Sequence, residues 1–369
     1  MKTSFRAQLI TLIIAVLGAL AVGAILLLIV HANPFRAYQA MLFGPFSDLY
    51  GLTETAAKAT PLLLVGLGIV IAFRSGILNI GAEGQMMMGA LAGTVVALTF
   101  QKMSGVFLLP LTLLAGFAGG ALYGAIPGSL KAYFKVNEIL STIMLNAIAQ
   151  QFMVYLLRGP LIDPTEISYG TGFPQTQQLP ESIWLVRLIP QTRLHLGFII
   201  AIVMAVLVYF FLWRTVIGYR LRAVGAGPQA ARAAGINVET GLLSAMVLSG
   251  GFAGLAGIVE VLGIHHRLLD GISAGYGFTG IVAALFGRLH PLGVIPAAFL
   301  FGALMLGADM MQRAVAIPAA IVQTIQGLMV LFVVGSDIFI RKPDWARRLL
   351  GLKTPKKKFV EQSPPGDPN

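Results

Sequence analysis

An all-α, polytopic membrane fold of about ten transmembrane helices is predicted by three observations. Of the 369 residues, 57% are hydrophobic and only 11% charged, with a mean hydropathy of +0.82, whereas charged residues make up about a quarter of a soluble domain. The apolar residues arrive in runs of roughly 17–25, the length that a helix rising about 1.5 Å per residue needs to cross about 30 Å of hydrocarbon. The runs also lack the alternating polarity of barrel strands, which leaves the helix as the element able to satisfy its own backbone in lipid.

The elements follow in order. Lys2 and Arg6 precede an apolar run over 9–30. Val30-His31-Ala32 resembles a signal cleavage site, but the run exceeds the about 7–15 residues of a signal peptide's apolar region and reads as an uncleaved first helix. Nine more spans are predicted at about 53–73, 76–100, 105–127, 137–157, 195–213, 241–262, 274–288, 291–310 and 317–340. Ten spans put both termini on one side. With that side inside, 18 of the 26 Lys and Arg fall on inside segments, as expected for cytoplasmic termini. The net charge of +11 therefore marks orientation and not nucleic-acid binding. Within a membrane domain of 1–340, Pro160, Pro164, Pro174, Pro180 and Pro190 make 158–194 an irregular external loop. The tail, 341–369, with Lys356-Lys357-Lys358, reads as disordered, basic and cytoplasmic, touching anionic headgroups.

Glycines recur at four-residue spacing at Gly116, Gly120, Gly124 and Gly128, with Gly89/Gly93 and Gly250/Gly254 elsewhere. Such spacing lets helix backbones approach closely, so tight packing is the expectation. The chain has no cysteine, which excludes disulfides and thiolate metal sites. No catalytic, metal or cofactor site is expected. Gly271-Ile272-Ser273-Ala274-Gly275 matches a hydrolase nucleophile elbow but lacks the strand–turn–helix context. His265 and His266 are adjacent, so their side chains should point apart and not share a metal. No Gly-Lys pair exists, so no phosphate-binding P-loop is present and ATP hydrolysis would come from a separate subunit.

Polar residues inside the spans are candidates for a translocation path: Asn79, Glu83 and Gln85 in the third span, and Asn137, Glu138, Thr142, Asn146 and Gln150 in the fifth. Glu83 and Glu138 follow an inside turn closely, so an interfacial carboxylate capping a helix start is an equal reading for each. Asn146 and Gln150, four apart, share a face and suit a polar path better. Tyr276 and Phe278 could stack on a base or anchor at the interface.

The longest strongly basic interior segment is 214–240, placed inside by the topology. Gly227 can act as N-cap, Pro228 suits a first helical position, the alanines favour helix, and Gly235 suits a left-handed C-terminal cap. A helix of about two turns results, with Arg220 and Arg222 as rim charges; a plain solvated basic loop is the alternative.

On the segments Gly76–Gln85, Asn137–Asn146 and Gly225–Ile236, the chain resembles inner-membrane permeases of bacterial ABC importers for nucleosides and simple sugars, a group that includes ribose and branched-chain amino acid permeases. The resemblance covers about 5–340. It implies a type II-like importer fold with two related halves, an ABC ATPase below, a second homologous permease, an external substrate-binding protein, and residence in the bacterial inner membrane. It further implies that Arg220, Arg222, Gly225, Gly227, Pro228, Ala231, Arg232, Ala234, Gly235 and Ile236 dock on the ATPase. Arg232 stands where many importers are acidic. A nucleoside or purine is the expected substrate and a simple sugar the alternative. The rival class, a self-sufficient secondary transporter or channel, needs ionisable residues deep in the spans, whereas Glu83, Glu138, Glu260 and Asp309 fall towards predicted ends.

Overall fold

The computed structural model describes residues 17–18, 20–170, 172–318, 320–325, 327–328 and 331–332. The tail 341–369 and parts of the predicted spans 9–30 and 317–340 lie outside these residues. The chain divides into two units, 1–32 with 319–369, and 33–318. In the first, α1 (Leu20–Ile29) is apolar, and Gly18 leaves room for the Phe332 ring.

The second unit runs α2 (Pro34–Phe43), α3 (Leu49–Arg74), α4 (Ala82–Thr99), α5 (Gly105–Phe134), α6 (Glu138–Arg158), α7 (Pro164–Ser168), α8 (Gly197–Arg214), α9 (Val216–Ala226), α10 (Pro228–Ala233), α11 (Val238–Glu260), α12 (Tyr276–Phe286) and α13 (Pro291–Val315). Among the described residues, six helices are long and apolar enough to cross a membrane: α3, α5, α6, α8, α13, and α11 with the π-helical turn Val261–His265 that extends it.

Two predicted spans need correction. The span expected over 274–288 is α12, only 11 residues long, which at about 1.5 Å per residue covers roughly half of the hydrocarbon. Gly275, at φ +78°, starts it from a left-handed turn and Gly287 stops it. The span expected over 76–100 begins helically only at Ala82. Before it, Gly76 (φ +80°) turns the chain and 77–81 are irregular. Apolar content marks both segments as membrane-embedded but does not show where the backbone leaves the helix.

At the centre stand α3 and α11, whose apolar windows are 89% and 72% buried, against 22% for α6. The four-residue glycine spacing explains how α11 gets there. A β-carbon on Gly120 would strike the carbonyl of Gly250, one on Gly254 that of Gly116, and one on Gly89 the backbone of Gly254. The glycines pack α4, α5 and α11 backbone to backbone, as the spacing predicts.

Among the described residues, the helical elements of the irregular 158–194 stretch are α7 and a 3-10 turn at Glu181–Ile183. It lies across the turn after α11 through Thr176 N–H to Leu268 O (2.8 Å), Leu179 N–H to His266 O (2.8 Å) and Leu185 N–H to Leu262 O (3.1 Å). Trp184 stacks on His266, centroids 4.0 Å apart, while His265 faces Glu260. The adjacent histidines thus face different partners.

Candidate functional site

The 214–240 segment is more structured than a basic loop. Arg214 ends α8, and Thr215 caps α9 by accepting the Gly218 N–H at 3.0 Å. After α9, Gly227 N-caps α10 with extended backbone, Pro228 occupies the first turn, and Gly235 at φ +78° ends it. This is the short helix that the Gly-Pro and Ala-Ala-Gly punctuation predicts. The sequence reading missed α9, because its basic residues hide an apolar stripe of Leu221 and Val224 that is buried. A small core of Val224, Ala231 and Val238, with Ile236 and Leu242 against it, holds α9, α10 and the start of α11 together.

Between α9 and α10 lies a groove of about 470 Å³ lined by Tyr219, Arg222, Ala223, Gly227, Ala230 and Ala234, among others. Its walls are mostly alanine and glycine, so a partner side chain can reach the backbone. Of the predicted rim charges, Arg220 is exposed. Arg222 is not free: its Nε donates to Leu212 O at 2.9 Å, and its guanidinium lies 5.5 Å from the Trp213 ring. Arg74 stacks on the same ring at 5.5 Å and donates to Leu289 O at 2.9 Å. A guanidinium over an indole face is attractive, so Trp213 ties the ends of α3, α8, α9 and the α12–α13 turn. Arg232 is exposed and ion-paired with Glu239. Gly225 lies against Arg74 and Gly76 so closely that a β-carbon would meet the Arg74 carbonyl and stand 2.9 Å from the Gly76 nitrogen.

The same Gly76 turn leads into a buried polar knot. Asn79 Nδ2 donates to Gln85 Oε1 (2.7 Å) and Ser249 Oγ (2.8 Å), while its Oδ1 accepts the Gly81 N–H (2.9 Å). Asn146 Oδ1 accepts the Gly84 N–H, and its Nδ2 donates to Ile80 O, both at 2.9 Å. These side chains satisfy the backbone of the irregular 77–81 stretch, which lipid could not do. The Glu83 carboxylate is 7% exposed and accepts the N–H groups of Gly275 (3.0 Å) and Gly277 (2.7 Å). It caps a helix start, but that of α12, where a negative charge meets the positive end of the helix dipole. The Gly271–Gly275 motif is thus the turn that presents α12 to Glu83.

Of the remaining predicted path residues, Asn137 caps α6 by accepting the N–H of Ile139 (2.9 Å) and Leu140 (3.3 Å). Glu138, in the first turn, pairs with Lys131 at 2.6 Å. Thr142 is buried and returns its hydroxyl to Glu138 O at 2.6 Å. Gln150 stands exposed on α6 among the exposed Met144, Ile148, Phe152 and Tyr155. Phe278 is half exposed on α12. Asn146 and Gln150 therefore part company: one serves the α4 start and the other is free to face a partner or a path. Among the described residues no group of three or more His, Cys, Asp or Glu is placed to hold a metal.

Comparison with known proteins fits this architecture. The glucose ABC transporter permease protein TsgB13 of Haloferax volcanii is 37% identical over 342 residues, 90% of this chain and 88% of the relative. The guanosine ABC transporter permease protein NupP of Bacillus subtilis is 37% identical over 330 residues, 89% of this chain and 94% of the relative. A second Bacillus subtilis protein, the guanosine ABC transporter permease protein NupQ, is 32% identical over 259 residues, 67% of this chain and 78% of the relative. No solved structure matches the chain. A family model described as branched-chain amino acid transport system, permease component, matches residues 51–334. The chain, with its glycine-packed helical bundle and its α9–α10 segment, belongs to that family of ABC transporter permeases.

Proposed function

We propose that this permease forms the membrane path for a nucleoside, and that α9–α10 is where a separate ATPase subunit grips it. The observation that carries the coupling role is the backbone contact of Gly225 with the Gly76 turn. A push on the α9–α10 groove is passed by that contact to the irregular stretch before α4, and from there by Glu83 to α12. Coupling by this route requires the ATPase to bind one arrangement of these elements more tightly than the other. The groove then faces the cytoplasm, both termini lie on that side, and the bilayer is the plasma membrane of a bacterium.

The path itself lies where α6 meets a second, homologous permease. An exposed amide such as Gln150 is costly against lipid and favourable against a polar path. NupP and NupQ, two guanosine permeases of one organism, both resemble this chain, which favours a heterodimer. An external binding protein delivers the solute. Nucleoside is the first reading on those relatives; a sugar is the second, favoured by the equally similar glucose permease. Guanosine and glucose share adjacent hydroxyls, the chemistry that a common path must pass.

Charge reversal tests the coupling role. Arg220→Glu with Arg232→Glu should abolish copurification of the ATPase and ATP-dependent uptake of labelled guanosine while leaving the permease folded. Retained association and uptake would sink it. Uptake of glucose but not guanosine by the wild-type complex would select the sugar.

A further inference from the structure

Far from α9–α10 lies a second polar region that the coupling role does not use. Glu54 is 20 residues before Arg74 on α3, about 30 Å along the helix from the Trp213 cluster. Glu54 and Lys58, one turn apart, line a cavity of about 220 Å³ together with Arg193 from the 158–194 loop's far end, Glu260 at the close of α11, His265 on the π-helical turn and Tyr276 at the start of α12. We propose that this cavity is a receiving subsite that binds the sugar hydroxyls of the transported solute; the proposal rests on the reading of the chain as an importer of a nucleoside or sugar.

Two carboxylates in the cavity wall lack the partners that burial demands. Glu54 is 6% exposed; its Oε1 has only Arg193 Nη1 at 3.4 Å, and its Oε2 is buried with no hydrogen-bond partner. Glu260 is 5% exposed, and its nearest partner is His265 Nε2 at 3.8 Å, beyond hydrogen-bond range. Ionised carboxylates only accept, and burying them unpaired is costly. A ligand that presents donors would relieve that cost. A divalent cation is disfavoured, since no set of three ligating groups converges here among the described residues. An organic cation is disfavoured too, because the Arg193 guanidinium already stands 3.4 Å from Glu54 on the open side and would repel it. What remains is a neutral molecule rich in O–H or N–H groups.

Adjacent hydroxyls fit best. A carboxylate can accept from both hydroxyls of a diol, while the guanidinium of Arg193 and the phenol of Tyr276 donate to the oxygen lone pairs that are left. The volume is below the roughly 300 Å³ at which pockets for drug-sized ligands begin, so the cavity takes a sugar ring and leaves a base outside. Arg193, 59% exposed, marks the open side. The floor is the turn before α12, whose Gly275 and Gly277 N–H groups are held by Glu83. Occupancy thus bears on the same half-helix that the Gly76 turn reaches from the other end.

The test is a ratio. Uptake of guanosine and of 2′,3′-dideoxyguanosine is measured in the full transporter with one binding protein throughout, for wild type, Glu54→Gln and Glu260→Gln. The hydroxyl-reading role predicts that guanosine uptake falls about tenfold or more in each variant, as for loss of a hydrogen bond to a charged group. The dideoxy analogue should fall much less, so that the guanosine preference collapses. A preference unchanged from wild type in both variants overturns the subsite, whatever the absolute rates, and leaves the importer reading standing. If either variant fails to assemble, as judged by copurification with the ATPase, the other decides. Should the wild type import glucose instead, the same variants are compared on glucose and 2-deoxyglucose. A wild type that imports neither class overturns both proposals.

Discussion

α8 and α11 are both long apolar helices, yet they occupy opposite kinds of place. α8 is the most apolar of the six long helices, and only 28% of its window is buried; the window containing α11 is less apolar and 72% buried. In water the order would be reversed. In lipid there is no hydrophobic drive to bury leucine, so the centre goes to helices whose small residues permit close backbone contact and whose polar groups need partners. α11 has Gly250, Gly254 and Gly257 facing other backbones and Ser249 on Asn79. α8 buries only a narrow stripe of Gly197, Ala201, Ala205, Val208 and Leu212 and gives its large side chains, such as Leu207 and Phe210, to the outside.

The sharpest way to break that comparison is one bulky residue in each helix. Gly254→Leu would drive a side chain into Gly116 O and to within 2.8 Å of Gly120 Cα. Overpacking typically costs about 1–3 kcal/mol and more where backbone is struck, so little folded permease should survive size-exclusion chromatography. Leu207→Ala on the exposed face of α8 should change stability by less than about 0.5 kcal/mol. Equal losses from the two would refute the distinction.

A smaller effect is expected at Glu83. Glu83→Gln removes the charge from the start of α12; hydrogen bonds to charged groups are worth about 1.5–3 kcal/mol, so uptake should fall by about tenfold or more while the protein still elutes as folded. Gln150→Leu on α6 should leave stability within about 0.5 kcal/mol yet reduce uptake. Normal uptake would place α6 away from the path.

The smallest effect concerns pH. His195, fully buried before α8, accepts the Gly197 N–H on Nδ1 at 3.1 Å. Burial, helped by the charge of His266, lowers its pKa from the ordinary 6.5 to about 4. The folded segment holds a neutral ring, whereas the opened segment takes up a proton between those values. Its stability is therefore full above about pH 6.5 and falls by about 1.4 kcal/mol per unit as the pH drops towards about 4, with no further loss below. Proteolysis of the 158–194 stretch at pH 7 and 5 would show the slope, and His195→Gln should remove it.

Much of the α9–α10 segment was legible in the sequence because its signals are local. Gly227-Pro228 and Gly235 set the limits of α10 by their own backbone preferences. α9 was not legible as a helix, since positive charges mask its buried Leu221 and Val224. Nor was Arg222, which reads as a rim charge but is drawn onto Trp213. The knot was visible only as a set of polar residues in apolar spans. That Asn146 would serve the Gly84 N–H and Gln150 stand exposed is settled by which helix lies alongside. Glu54 escapes the reading, and Glu260 enters it only as an acid towards a predicted span end, because each sits alone at the end of its own span.

What the sequence determined by itself is the membrane class, most of the long helices, the glycine-packed seams and the α10 helix, all of which depend on composition, length or neighbours a few residues apart. Only the tertiary structure decided that α12 is half a span, that Glu83 holds it from 192 residues away, and that two carboxylates share a cavity. The reason is physical. In lipid every interrupted backbone must find partners inside the bundle, and those partners come from whichever helices pack together, however far apart they lie in the chain.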